Sequence, residues 1–155
     1  MQDYLTRLKS AKAFLQELEE LLAKQNPLAV VTFDLVDFRS VNDIYGLPNG
    51  DQVIAAVGQS ISGVSESYRI GGNRFAVVVH DATQALTTAH SIRRKIESIR
   101  LSDKPDYPVL RLKVRVGVAI YPKDARKLDD LLKVAHDAMF ADTPSAHRSI
   151  IRGLP

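Results

Sequence analysis

Cysteine and tryptophan are both absent from this chain of 155 residues. Without cysteine there is no disulfide, no thiolate zinc site and no thiol nucleophile, and the lack fits a reducing compartment. Long apolar runs are missing as well. None exceeds Phe75 to Val79, far short of the ~20 residues that a membrane-spanning helix needs. The opening Met1-Gln2-Asp3-Tyr4 is polar, without the basic and apolar regions of a secretory signal. The expectation is a cytoplasmic protein with no membrane partner. Net charge is only +3, from 21 basic and 18 acidic residues. Such a weak field admits an anionic ligand but is no nucleic-acid signature. With 8 glycines and 7 prolines the chain is neither low-complexity nor collagen-like. The remainder, 45% hydrophobic and 25% charged, is the composition of a globular protein whose length suits a single domain, residues 1–155.

Periodicity organises the chain. Leu5, Leu8, Ala11, Leu15, Leu18 and Leu22 recur at helical spacing and predict a helix over 4–24. Leu28 to Phe33 reads as a buried strand and Phe38 to Tyr45 as a short helix stopped at Gly46. Asp51 caps a helix running to about Ile61. Tyr68–Ile70 and Arg74–His80 form a hairpin around Gly71-Gly72-Asn73, where two glycines permit positive φ. A helix over 83–100 follows, then an alternating strand over 110–120 with Arg111, Lys113 and Arg115 on a solvated face. A helix over 126–141 and a short edge strand at Ser149–Ile151 complete the order. The expected fold is α+β: a mixed, largely antiparallel sheet of about five strands with a βαββαβ core flanked by helices.

Two windows carry possible chemistry. From Asp34 to Asp51, carboxylates and amides follow a buried strand: Asp34, Asp37, Asn42, Asp43 and Asp51. Carboxylates there suit a hard cation such as Mg²⁺, and Asn with Asp can read a guanine edge. A loop rich in turn formers and caps explains the same residues. The second window, Tyr68 to Phe75, places a double glycine at a hairpin tip, which lets a ligand approach the backbone. Other signatures are absent: there is no GxxxxGK[ST], GxSxG or HExxH. His80, His90, His136 and His147 lack metal-ligand spacing.

Taken together, the windows resemble the GGDEF family, the diguanylate cyclase domain with a nucleotidyl cyclase-like fold. The family's DxLTGLxN stands here as Asp3-Tyr4-Leu5-Thr6-Arg7-Leu8-Lys9-Ser10. Its DxDxFKxINDxxGHxxGD stands as Asp34-Leu35-Val36-Asp37-Phe38-Arg39-Ser40-Val41-Asn42-Asp43, then Gly46-Leu47 and Gly50-Asp51. Its RxGG(D/E)EF stands as Arg69-Ile70-Gly71-Gly72-Asn73-Arg74-Phe75, and an eroded ADxALYxAKxxGRN begins at Ala135. The resemblance implies two GTP-loaded domains that face each other and form cyclic di-GMP. It further implies that Asn42 and Asp51 read guanine, that Asp34 binds metal, and that the backbone around Asp37 and Phe38 cradles phosphates, with Arg39 in place of a lysine.

The departures fall on the reactive part. Asn73 and Arg74 replace the two acids of the signature, Val36 replaces the second Asp of the strand motif, and Leu47 replaces a His. Thr143 and His147 replace phosphate-touching basic residues. Ser62 and Ser65 occupy the positions of the family's inhibitory RxxD, so no cyclic di-GMP feedback is expected there. The expectation is a degenerate, catalytically inactive domain that acts on a signalling protein partner or a tethered domain. No cofactor is expected, and Mg²⁺ only where nucleotide binding persists. Two readings of Arg74 stand side by side: it replaces the metal by pairing with Asp34 or with a phosphate, or it is a solvated hairpin arginine. An active cyclase with an atypical site and a purely structural module with a vestigial pocket are the alternatives.

Overall fold

A computed structural model describes residues 1–36, 51–99 and 112–142. Helix α1 spans Ala11–Ala23, and Ser10 caps it by accepting a hydrogen bond from the Ala13 amide at 3.2 Å. The sequence predicts this helix over 4–24, and the first ten residues depart from that. They form a turn closed by a bridge between Gln2 and Lys9, with Arg7 at a positive φ of 65°. The cause is local. The Asp3 carboxylate accepts from both the amide and the hydroxyl of Thr6, at 2.9 and 2.7 Å, which offers the backbone an alternative to helix. The leucine stripe is therefore two stripes. Leu8 enters one side of the core, whereas α1 buries Phe14 and Leu18 on the other and leaves Leu15 45% exposed.

Strand β1, Leu28–Val36, is buried along nearly its whole length because it lies inside the sheet. Helix α2 (Asp51–Ile61), the hairpin strands β2 (Glu66–Arg69) and β3 (Arg74–Val79), and helix α3 (Ala85–Glu97) follow. A 3₁₀ turn over Ala82–Gln84, capped by Asp81, starts the segment predicted as helix from residue 83. Strand β4 (Lys113–Tyr121) and helix α4 (Leu128–Ala141) complete the described elements. The sheet has four strands among the described residues, in the order β2-β3-β1-β4, and every pairing is antiparallel. The predicted helix at 38–45 and edge strand at 149–151 lie outside the described residues.

Both sheet faces are covered. Phe33, Phe75, Val77, Val116 and Val118 pack with Val53, Val57, Ile92 and Ile96 of α2 and α3. Val30, Tyr68, Val78 and Ala119 pack with Phe14, Leu18, Leu131 and Ala135 of α1 and α4. Each fully buried large side chain contributes roughly 1.5–3 kcal/mol. The alternation in the sequence predicts a solvated second face for β4. Lys113 is exposed, but past Arg115 the pattern turns to Gly117 and Ala119, both buried. These small residues let α4 lie directly on the strand. A Cβ on Gly117 would fall 2.2 Å from the Ala135 carbonyl oxygen and 2.4 Å from the Met139 nitrogen.

Candidate functional site

Asp34 lies near the C-terminal end of β1 and is 3% exposed. The sheet register sets Arg74 of β3 opposite it on one side and Arg115 of β4 on the other. Directly opposed residues share a face, so one carboxylate is flanked by two guanidiniums. Arg115 takes it in a bidentate fork, with Nε donating to Oδ1 at 3.0 Å and Nη2 to Oδ2 at 2.8 Å. The hydrogen bond to Asp34 is the largest influence on the Arg115 pKa. It outweighs burial and, with the charges of Asp34 and Asp142, pushes that pKa upward.

The expected Asp34–Arg74 pair is therefore not what forms. The Arg74 guanidinium lies 5.2 Å from the centre of the Phe140 ring on α4, and that of Arg115 lies 5.0 Å from the same centre. Arg74 has no carboxylate partner among the described residues, and its buried Nε–H donates to nothing. His136, one turn before Phe140, also has an unpartnered buried Nε2. Burial first, then the nearby charge of Arg74, holds the His136 pKa below 6.5, against smaller opposing effects of Asp137 and the Leu132 carbonyl.

Asn73 is fastened to β1. Its Nδ2 donates to the Leu35 carbonyl at 2.8 Å while its own carbonyl accepts from the Leu35 amide at 3.1 Å. A carboxylate at this position could not make the first bond. The hairpin tip is held from behind by Arg69, which donates to the carbonyls of Gly71 and Gly72 at 3.2 and 2.9 Å and to Asp3 at 3.2 Å. Gly71 and Gly72 both lie outside the left-handed region that their position permits. Two shallow clefts flank the tip. One, of ≈ 330 Å³, is bordered by Asp3, Ser10, Arg69 and Gly72. The other, of ≈ 180 Å³, lies between Phe14, Leu15, Ile70, Leu132, Arg74 and His136.

Of the predicted site residues, Asp34, Asn73 and Arg74 converge at the end of β1. Asp51 opens α2, where its charge suits the helix N-terminus. Asp37, Phe38, Arg39 and Asn42 lie outside the described residues. Ser62 and Ser65 donate to the carbonyls of Gln59 and Val78 at 3.0 and 2.6 Å. Arg93 pairs with the buried Asp142, which also accepts from the Val116 amide at 2.9 Å. Sequence reasoning missed Arg115 as the partner of Asp34. Its position in a basic strand row was visible, but its register against a strand some eighty residues earlier was not.

A family model described as diguanylate cyclase, GGDEF domain matches residues 1–146. The chain is 27% identical to the probable diguanylate cyclase DgcT of Escherichia coli K12, covering 96% of this chain and 35% of that protein. It is 31% identical to an uncharacterised membrane protein of Staphylococcus aureus USA300, over 86% of this chain and 42% of that one. The chain thus spans well under half the length of these curated relatives. Among solved structures it superposes with a TM-score of 0.79 on the GGDEF domain of TpbB (YfiN) from Pseudomonas aeruginosa, at 30% identity, covering 90% of this chain and 87% of that one. With the GGDEF domain of Caulobacter crescentus DgcB, determined in complex with c-di-GMP, the TM-score is 0.76 and the identity 28%, covering 90% and 85%.

Proposed function

We propose a regulatory, non-catalytic role for this chain, which belongs to the GGDEF domain family of cyclic di-GMP signalling. The observation that carries the proposal is the bidentate grip of Arg115 on Asp34, with Arg74 on the other flank and the Asn73 amide bonded to backbone. The family's chemistry calls for a divalent cation here, and these residues do not fit one. The carboxylate that would hold it already accepts from Arg115 at both oxygens. Among the described residues no group of three or more His, Cys, Asp or Glu could hold a metal ion. A cation ~4 Å from a guanidinium is repelled by about 4 kcal/mol per pair of unit charges at an effective dielectric of 20.

Loss of a positioned base adds to this. Such a group typically contributes on the order of 10²–10⁴ in rate, and neither an amide nor a permanently charged guanidinium can take the proton. The domain then acts by binding a signalling partner or a tethered domain through its surface. Guanine nucleotide binding is the finer point of this reading. The exposure of Asp51 at the start of α2 supports this point.

Incubation with GTP and Mg²⁺ or Mn²⁺, followed by chromatography, tests the non-catalytic role. The expected result is unconverted GTP, and appearance of cyclic di-GMP overturns the reading. Calorimetry with GTP, GDP and ATP tests nucleotide retention. Binding that prefers guanine and falls in Asp51→Ala supports it, and equal or absent heats for all three refute it.

A further inference from the structure

The cleft between α1, the hairpin and α4 has features that the role above does not use. Its walls are apolar: Ala11, Phe14, Leu15, Ile70 and Leu132. Two polar side chains, Arg74 and His136, also line it, and each carries a buried nitrogen without a hydrogen-bond partner, Nε of the Arg74 guanidinium and Nε2 of the His136 ring. A buried polar group left unpaired is destabilising when water is excluded, so two beside one cleft call for an explanation.

The charge balance points the same way. Asp34 could have neutralised Arg74, but Arg115 holds both its oxygens. Arg74 is left with a positive charge that no described carboxylate pairs. The charged groups acting on His136 are Arg74, which disfavours its protonation, and Asp137, which weakly favours it. A carboxylate in the cleft would answer the unpaired charge: it would accept from the Arg74 guanidinium, and its negative charge would favour protonation of His136. The space of ≈ 180 Å³ compares with the roughly 150 Å³ apolar cavity that accepts benzene.

We propose that this cleft binds a small apolar monocarboxylate, of about the size of benzoate, with its ring or alkyl group between Phe14, Leu15, Ile70 and Leu132 and its carboxylate on Arg74 and His136. The site needs neither nucleotide nor metal, so it stands or falls apart from the cyclase-family reading.

Calorimetric titration of the whole chain with benzoate at pH 7.5 tests it, with benzyl alcohol, benzylamine and acetate as comparison probes. Benzoate is expected to bind with a Kd on the order of 1 mM or tighter, at least tenfold better than the other three. Repeating the titration in buffers of different ionisation enthalpy is expected to show net proton uptake on binding. Arg74→Met and Leu15→Ser should each weaken binding several-fold, and His136→Asn should remove the proton uptake. Circular dichroism confirms that each variant is folded, and the exposed position of Leu15 keeps that variant informative if the others unfold. Equal binding of benzyl alcohol, unchanged affinity in folded Arg74→Met or Leu15→Ser, or no heat with benzoate at 10 mM would overturn the proposal.

Discussion

Removing Arg115 tests how the end of β1 is held together. In Arg115→Met the Asp34 carboxylate, whose side chain is 4% exposed, loses the fork that occupies both oxygens. Breaking a buried pair by deleting one partner costs about 3–5 kcal/mol. The Arg115 side chain is itself 30% exposed, so solvent screening reduces the figure, and Arg74 stands ready on the opposite flank. The expected loss is about 2 kcal/mol. For a domain of this length that lowers the midpoint by roughly 4–8 °C. The assay is urea unfolding followed by circular dichroism, run as a double-mutant cycle with Asp34→Asn. Because the second substitution removes the stranded charge, the double variant should be more stable than the sum of the single losses implies, with a coupling of about 1–2 kcal/mol. A single-variant loss below ~0.5 kcal/mol, or strictly additive losses, would refute the reasoning.

Three further outcomes follow from the geometry. For Asp3, burial raises the pKa, but hydrogen bonds from Thr6 and the charge and hydrogen bond of Arg69 together bring it below 3.8. The stability it adds is therefore present above the unfolded pKa and is lost as pH falls through the folded one. Asp3→Asn should lower stability at pH 7 and flatten its dependence in acid, as read by urea melts between pH 7 and 2. His136 has the same sign in a different window. With its folded pKa below 6.5, protonation favours the unfolded chain, so stability declines as pH drops through 6.5, and His136→Gln should lessen the decline between pH 7 and 5. Gly117→Ala pushes a methyl group against the backbone of α4; overpacking of this kind costs about 1–3 kcal/mol or more, and a thermal midpoint within 2 °C of the parent would contradict that packing.

Much of the fold is legible in the sequence where patterns are local and regular. The largely apolar run of β1, the stripes of α2, α3 and α4, and the glycine-centred hairpin all stand where periodicity puts them. The first ten residues are not legible in that way. Their leucines keep helical spacing, yet the Asp3–Thr6 hydrogen bonds and the Ser10 cap decide the backbone, and Leu8 and Leu18 end on opposite sides of the sheet. The β4 alternation is misleading for a different reason. Its basic positions stop at Arg115, and the small residues beyond it matter only once α4 is known to lie there.

The site follows the same division. The Asn73 and Arg74 substitutions are plain in the sequence, and Asp34 and Arg74 do lie opposite each other. What decides the electrostatics is a third strand. Only the β1–β4 register brings Arg115 onto Asp34 and leaves Arg74 to Phe140 and the cleft. Similarly, the buried Asp142 that captures Arg93 is remote from it in sequence.

The central claim is that the end of β1 no longer seats a divalent cation, and a titration with Mn²⁺ monitored by electron paramagnetic resonance addresses it most directly. The account predicts that, without nucleotide, the free-ion signal rises in proportion to added Mn²⁺ and is unaltered by Asp34→Asn. A saturable site that disappears in Asp34→Asn would contradict it.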